Sequence, residues 1–315
     1  MTRIRLYGLR VDLPSAMPGT TAIAADGPAD LVVRFEAAPA AAANEAYRSP
    51  AAAGAVPTLV AGRLADGGLR LTYAEGARFT VAGDGRTVWG DWDAPLTEAD
   101  AYTFLAGPVF GVALRAHGAL ALHASAVVVD GGTLAILGQS GAGKSTLAAA
   151  CVREGLTLMS EDLLAVRRAR HEWIASPGHH QVRLWDTGAA TGPGAGVALP
   201  PLTRAWPKLG LDLGAHGLPF ATDDAPLRGV VVLVARVARG AEPVVRTLTP
   251  AELTVELVAH SYANHLLDER VLGRELPLFG ELARTVPGWS VAAAPGDAGL
   301  RDSVALLRRL GAADQ

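Results

Sequence analysis

The sequence predicts a mixed α/β protein with a β-rich N-terminal region, and three observations predict it. Residues 1–95 hold short runs of alternating apolar and polar side chains separated by glycine-containing turns. From Leu120 onward, β-branched apolar runs are interleaved with helical patterns. Between these, the apolar run Thr133–Leu137 enters a glycine-rich segment and then an alanine-rich helical pattern, the strand–loop–helix order of α/β nucleotide-binding cores. The division this suggests is a β-rich region over 1–95 and an α/β domain over 96–315.

Each element has its own signal. Ile4 to Leu13, Asp30 to Glu36 and Leu69 to Tyr73 alternate with period two, as strands with one buried face do. Asp66-Gly67-Gly68 and Gly83-Asp84-Gly85 supply hairpin-type turns. Ala37 to Val56, alanine-rich with Pro39 and Pro50, reads as a loose connector or a poorly packed helix. Pro95-Leu96-Thr97-Glu98 is a helix start leading through Ala101 to Arg115. Ala119 to Val129 is expected as one strand, Asp130-Gly131-Gly132 as a tight turn and Thr133 to Leu137 as a buried strand. Thr146 to Ala150 opens a helix; Leu156 to Met159, Leu163 to Arg167, Glu172 to Ser176 and Gly229 to Arg236 are strands. Gly188 to Pro201 is a loop, placed facing the substrate, and Pro250 to Leu267 and Ala298 to Leu310 are helices.

Composition narrows the class. A chain of 315 residues, 50% hydrophobic, can bury a sizeable core. A net charge of −3 without a basic run argues against a nucleic-acid partner. The single cysteine, Cys151, excludes an intramolecular disulfide, fits a reducing cytoplasm, and falls in the helix after the loop as a small buried residue. Met1 to Leu6 carries spaced charges and no apolar core of a signal peptide. The uncharged stretch Ala101 to Leu114 is too short to cross a bilayer and is broken by Gly107-Pro108, so it reads as a core helix. His179-His180 has no cysteine or acidic neighbour at ligand spacing and reads as loop rather than metal site.

Two of the 28 basic residues are lysines, and one of them, Lys144, completes Gly138-Gln139-Ser140-Gly141-Ala142-Gly143-Lys144-Ser145-Thr146. That is the full G-x-x-x-x-G-K-[ST] phosphate-binding pattern. Glycines let backbone N–H groups curl around phosphate oxygens, the helix start adds positive dipole, and lysine supplies a point charge. Ser145 would bind the Mg²⁺ that travels with ATP. The other lysine, Lys208 in Pro207-Lys208-Leu209-Gly210, cannot supply the Asn-Lys-x-Asp motif of GTPases, and no Leu-Ser-Gly-Gly-Gln of transporter ATPases exists. Instead a carboxylate pair, Glu161-Asp162, begins 16 residues after Ser145.

Leu122-His123-Ala124-Ser125-Ala126-Val127, Asp130-Gly131-Gly132, the loop, Glu154-Gly155 and Ser160-Glu161-Asp162 together resemble the catalytic core of bacterial HPr kinase/phosphorylase. The resemblance extends to the HPr-kinase-like proteins of peptide natural-product pathways, including lasso-peptide tail kinases. His123 stands fifteen residues before Gly138, a spacing of that family. The match covers about 120 to 165, with a weaker continuation to Gln181-Val182-Arg183-Leu184-Trp185. It implies a phosphoenolpyruvate-carboxykinase-like α/β core. The chain departs from the family at Thr146, where glutamate is common, at Glu161, usually aspartate, at Gln181, where glutamate precedes the arginine, and in lacking the following glycine-rich signature.

The expected activity is transfer of the ATP γ-phosphoryl group to a hydroxyl, most often serine, of a peptide or small protein, with homo-oligomers possible from the resemblance. A nucleotide-dependent regulator with slow ATPase activity and a kinase of a free small molecule are the alternatives. Lys144 and the N–H groups of Gly141 to Thr146 would hold the β- and γ-phosphates, with Gly138, Ser140 and Ala142 shaping the loop. Asp162 is the candidate hydroxyl-activating base and Glu161 a metal contact, with the two roles exchangeable; Ser145, Glu161 and Asp162 are the candidate Mg²⁺ ligands. His123 would touch the transferring phosphate or orient the acidic pair, against a hydrogen-bonded core histidine. Arg183 is either a phosphate clamp or a surface ion pair, and Lys208 a second phosphate contact or a solvated lysine.

Overall fold

The protein is seen in a computed structural model that describes residues 1–20, 26–51, 57–185, 199, 201–202, 208–266 and 269–312. It is a mixed α/β structure with several sheets. Eight strands form the first sheet: β1 (Thr2–Leu6), β2 (Leu9–Leu13), β3 (Leu31–Arg34), β4 (Ala43–Arg48), β5 (Leu59–Leu64), β6 (Leu69–Tyr73), β7 (Ala77–Val81) and β8 (Thr87–Trp92). Their order is β1-β2-β3-β8-β7-β6-β5-β4, with β3 parallel to both neighbours. The apolar face created by period-two alternation (Leu31, Val33, Leu71, Phe79) is covered by a helical stretch carrying Phe104, Leu105, Phe110 and Leu114.

That stretch comprises α1 (Glu98–Phe104), one π-helical turn (Leu105–Val109) and α2 (Phe110–Ala116). Thr97 caps it in a capping box with Asp100. Gly107 leaves helical geometry just before Pro108, so the helix expected through Arg115 is interrupted. It is buried, as a core helix should be, and no helix of the described residues is long and apolar enough to cross a membrane.

The second sheet runs from β9 (Leu120–Leu122) through β10 (Ser125–Val129), β11 (Gly132–Gly138), β12 (Thr157–Ser160), β13 (Leu164–Ala169), β14 (Glu172–Ser176), then β17 (Ala225–Leu233), β18 (Val244–Thr247) and β19 (Gly288–Ala292). A separate ribbon pairs β15 (Gln181–Trp185) with β16 (Lys208–Asp212). The centre is parallel: β11 against β17, and β17 against β19. In β11, Leu134 and Ile136 enter one core while Ala135 and Leu137 enter another, and β17 alternates the same way. Both faces are buried, which is why these strands read as unbroken apolar runs. α3 (Lys144–Arg153) and α6 (Gly296–Ala312) cover one face; α4 (Pro250–Ala259) and α5 (Glu269–Thr285) cover the other. Cys151 lies buried in α3, where burial pushes its thiol up to about 12, well outside reactive range.

Several sequence expectations are corrected. Ile4 to Leu13 is two strands, because Tyr7 and Gly8 both take left-handed backbone (φ 54 and 80) and close a tight hairpin with Leu6 opposite Leu9. Ala37 to Val56 contains the edge strand β4, which is largely exposed and so carries no apolar alternation to reveal it. Ala119 to Val129 breaks at His123-Ala124. The helix from Pro250 ends at Ala259, followed by a short 3₁₀ turn at Asn264–Leu266. α5 went unforeseen because Gly273, Pro277 and Gly280 interrupt its pattern. The Gly188 to Pro201 loop lies outside the described residues except for Leu199 and Pro201. Lys208 begins β16, and its side chain is outside the described residues.

His179 and His180 lie in the connection between β14 and β15, as a loop reading requires, and both are buried; among the described residues no three or more of His, Cys, Asp and Glu are grouped to hold a metal. His179 Nε2 lies 2.8 Å from the Pro18 carbonyl, and the His180 ring stacks on Phe220 at 3.8 Å. Burial pushes His179 down to about 3 and His180 to about 4. The unfolded chain takes up these protons near pH 6.5, so the native state keeps its stability above that pH and loses it as pH falls toward 4. Replacing His180 with phenylalanine keeps the stack and removes one such group. Urea unfolding is expected to show His180→Phe gaining on wild type by about 2 kcal/mol between pH 7 and pH 4.5. An identical pH dependence in both proteins would contradict this.

Candidate active site

The site forms where a long antiparallel ribbon is interrupted. Residues 120–129 pair with residues 157–169 twice: Leu122 faces Leu164 on one side of the gap and Ala126 faces Ser160 on the other. Between these registers the chain leaves strand geometry at His123-Ala124 and, opposite, at Glu161-Asp162-Leu163. Leu163 N–H donates to the Glu161 carbonyl at 2.8 Å, closing a three-residue turn with Asp162 at its apex in left-handed backbone (φ 67). A non-glycine residue there is strained, aspartate less than most, and such strain concentrates at functional sites.

The interruption brings His123 to Asp162, with Nδ1 3.5 Å from Oδ1. Asp162 Oδ2 accepts from Arg183 Nη1 at 3.1 Å and from the Tyr262 hydroxyl at 2.8 Å. Arg183 is only 6% exposed, so the ion pair it makes with Asp162 is buried rather than on the surface. Burial disfavours the Arg183 charge, but the field of Asp162, joined by Tyr262, Glu161 and Tyr7, outweighs it and raises the pKa. Burial, then Asp162, pushes the Tyr262 phenol well above its ordinary value, so it stays a donor.

The glycine-rich loop forms the facing wall. β11 ends at Gly138, where a Cβ would lie 2.9 Å from the Leu233 carbonyl. α3 starts after Gly143, left-handed at φ 104, and has no side-chain cap, whereas α1 and α4 have capping boxes. An uncapped helix start behind a glycine turn offers its N–H groups to an anion. Lys144 Nζ donates to the Gly138 carbonyl at 2.7 Å and lies 3.5 Å from that of Gln139, folded over the loop. Ser145 Oγ donates to Glu161 Oε1 at 2.6 Å, joining loop to acidic pair.

His123, Ser140, Gly141, Ala142, Gly143, Lys144, Ser145, Thr146, Glu161, Asp162 and Arg183 all line one cavity of about 370 Å³. Gly138 stands behind it at the strand end. The cavity is also lined by residues the sequence did not single out: Val234 and Arg236 after β17, Ala293 to Pro295 after β19, and Gly296 and Asp297 at the start of α6. They follow strand ends and belong to no motif. Tyr262 was missed for the same reason, a hundred residues beyond Asp162 and just past α4.

No protein-family model matches the chain, and no curated protein matches it. Among solved structures, the Hpr(Ser) kinase/phosphatase from Coxiella burnetii is a distant likeness. It shares 17% identity over 60% of this chain and 88% of that chain, with a TM-score of 0.33.

The segment behind Asp162 is pinned by a buried ion pair. Arg115 on α2 donates to Glu275 on α5 at 2.7 Å, to the Ser261 hydroxyl at 2.5 Å and to the Tyr262 carbonyl at 2.6 Å. Burial pulls against both charges, lowering Arg115 and raising Glu275, so the pair persists through direct hydrogen bonds. Removing one partner strands the other. Glu275→Gln is expected to lower the unfolding free energy by about 3 kcal/mol in a urea titration, and a loss below ~1 kcal/mol would show that the charge is not needed.

Proposed function

We propose that the chain is an ATP- and Mg²⁺-dependent kinase of the HPr-kinase-like class, with a phosphoenolpyruvate-carboxykinase-like core, that phosphorylates a serine hydroxyl on a peptide or small protein. The observation that carries this reading is one cavity with an uncapped glycine-rich helix start and Lys144 on one wall and Asp162 with Arg183 on the other. Phosphoryl transfer needs positioning and charge neutralisation more than covalent chemistry, and this arrangement offers both.

Lys144 and the N–H groups of residues 141–146 hold the β- and γ-phosphates, and Arg183 faces the γ-phosphate. The acceptor hydroxyl gives its proton to Asp162 as its oxygen bonds to the γ-phosphorus. The bond from that phosphorus to the bridging oxygen breaks, and ADP leaves with the electron pair. His123, beside Asp162, keeps the carboxylate oriented. Ser145 and Glu161 fit Mg²⁺: hydroxyl and carboxylate oxygens already converge at 2.6 Å, an oxygen donor set suited to a hard cation. Mg²⁺ completes its shell with waters and phosphate oxygens, so the lack of an all-protein cage among the described residues fits it too. When bound, it neutralises phosphate charge. The net charge of −3 favours a protein acceptor over nucleic acid, and the cytoplasm supplies ATP and reducing conditions.

The test uses γ-labelled ATP, Mg²⁺ and a library of serine-containing peptides. Label is expected to move to peptide with wild type. Lys144→Ala is expected to lose nucleotide binding, while Asp162→Asn binds ATP and transfers at least ~100-fold more slowly. Asparagine is the substitution of choice because it tolerates left-handed backbone. Transfer by Asp162→Asn at the wild-type rate would remove the base assignment, and ATP hydrolysis without any peptide labelling would favour a nucleotide-dependent regulator.

A further inference from the structure

We propose that Tyr262 is a positioning residue for Asp162: its hydroxyl, seated in the break of the helical stretch 98–116, fixes which carboxylate oxygen faces His123 and the cavity. Its catalytic consequence rests on the phosphoryl-transfer reading above; its geometry does not.

Asp162 sits at the apex of a strained turn, where the backbone alone does not choose a side-chain orientation. Among the described residues, two donors hold it. Tyr262 and Arg183 both bond to Oδ2, which directs Oδ1 toward His123 Nδ1 at 3.5 Å. The Tyr262 ring meets the His123 ring edge-on, with centroids 5.5 Å apart, so phenol and imidazole flank the same carboxylate. Arg183, buried, supplies the charge; the phenol, with two rotatable bonds, adds a second fixed direction.

The surroundings are shaped around that hydroxyl. At Gly107 a Cβ would stand 2.8 Å from the Tyr262 hydroxyl oxygen, and at Gly111 it would stand 3.0 Å from ring carbon Cδ1. The π turn at Leu105–Val109 opens at the same place. Insertions of this kind within a helix are frequent at functional sites. The backbone is fixed as well. Tyr262 N–H donates to the Ala121 carbonyl at 2.7 Å, and His123 N–H donates to the His260 carbonyl at 2.7 Å. Arg115 holds the Tyr262 carbonyl. The break carrying His123, the turn carrying Asp162 and the segment carrying Tyr262 therefore form one unit. A tyrosine present only to fill space would need neither the hydroxyl nor its seat.

Tyr262→Phe in the full chain tests this, with water as phosphoryl acceptor so that ATP hydrolysis is the rate measured. The expected outcome is a kcat lowered by about tenfold to a hundredfold, the equivalent of one hydrogen bond to a charged group, with the KM for ATP and the affinity for a fluorescent ATP analogue unchanged. Crystal structures of the two proteins are expected to show the Asp162 carboxylate turned so that Oδ1 leaves His123. Gly107→Ala, which keeps the hydroxyl but crowds it, is expected to reproduce the kcat loss. An unmoved carboxylate overturns the inference, as does an unchanged kcat in an active enzyme. If wild type transfers phosphate neither to water nor to peptide, the kinase reading falls, and the carboxylate position in the two crystal structures still decides the role of Tyr262.

Discussion

The site depends on one buried charge pair, Arg183 with Asp162. An arginine that is 6% exposed is tolerable only with an anion in contact, and Asp162 supplies it from a turn that is itself strained. The pair ties the β15–β16 ribbon to the gap between β12 and β13. Tyr262 ties it to the end of α4, and Tyr7, at the tip of the first hairpin, lies close enough to weigh on the Arg183 charge.

The first sheet therefore does more than precede the glycine-rich loop and the acidic pair. Tyr7 N–H donates to the Pro177 carbonyl at 2.7 Å, and His180 N–H donates to that of Gly19 at 3.1 Å. Arg5 and Arg167 share Asp224. The first two contacts hold residues 177–180, the approach to Arg183, from the N-terminal side, and Asp224 ties β1 to β13. The same sheet shares its core with α1 and α2, whose break seats Tyr262. A boundary drawn at residue 95 separates motifs from non-motifs; the core that supports the site crosses it.

The glycine-rich wall of the cavity was legible because a phosphate-binding pattern has fixed spacing: glycines where backbone must curl, then lysine and a hydroxyl. The carboxylate pair was legible from its nearness to the loop. What brings His123 to Asp162 was not. Ala119 to Val129 reads as one mostly apolar strand through the break, and only pairing with residues 157–169 shows where the ribbon opens. Arg183 was visible as a residue, but its burial depends on contacts with Asp162 and the N-terminal hairpin that no local pattern encodes. Arg236 and Asp297 reach the cavity, and Tyr262 reaches Asp162, by topology; none of them belongs to a motif. In the fold, the two-sided burial of β11 and β17 was written in their apolar runs, whereas β4 has no apolar face and α5 carries glycine and proline within it.

A crystal structure with Mg²⁺ and a non-hydrolysable ATP analogue tests the central claim most directly. Lys144 is expected to leave the Gly138 carbonyl for the phosphates, the ion to sit between Ser145 and Glu161, and the γ-phosphate to lie between Lys144 and Arg183 within reach of Asp162. An analogue bound elsewhere, or one whose γ-phosphate points away from Asp162, would contradict it.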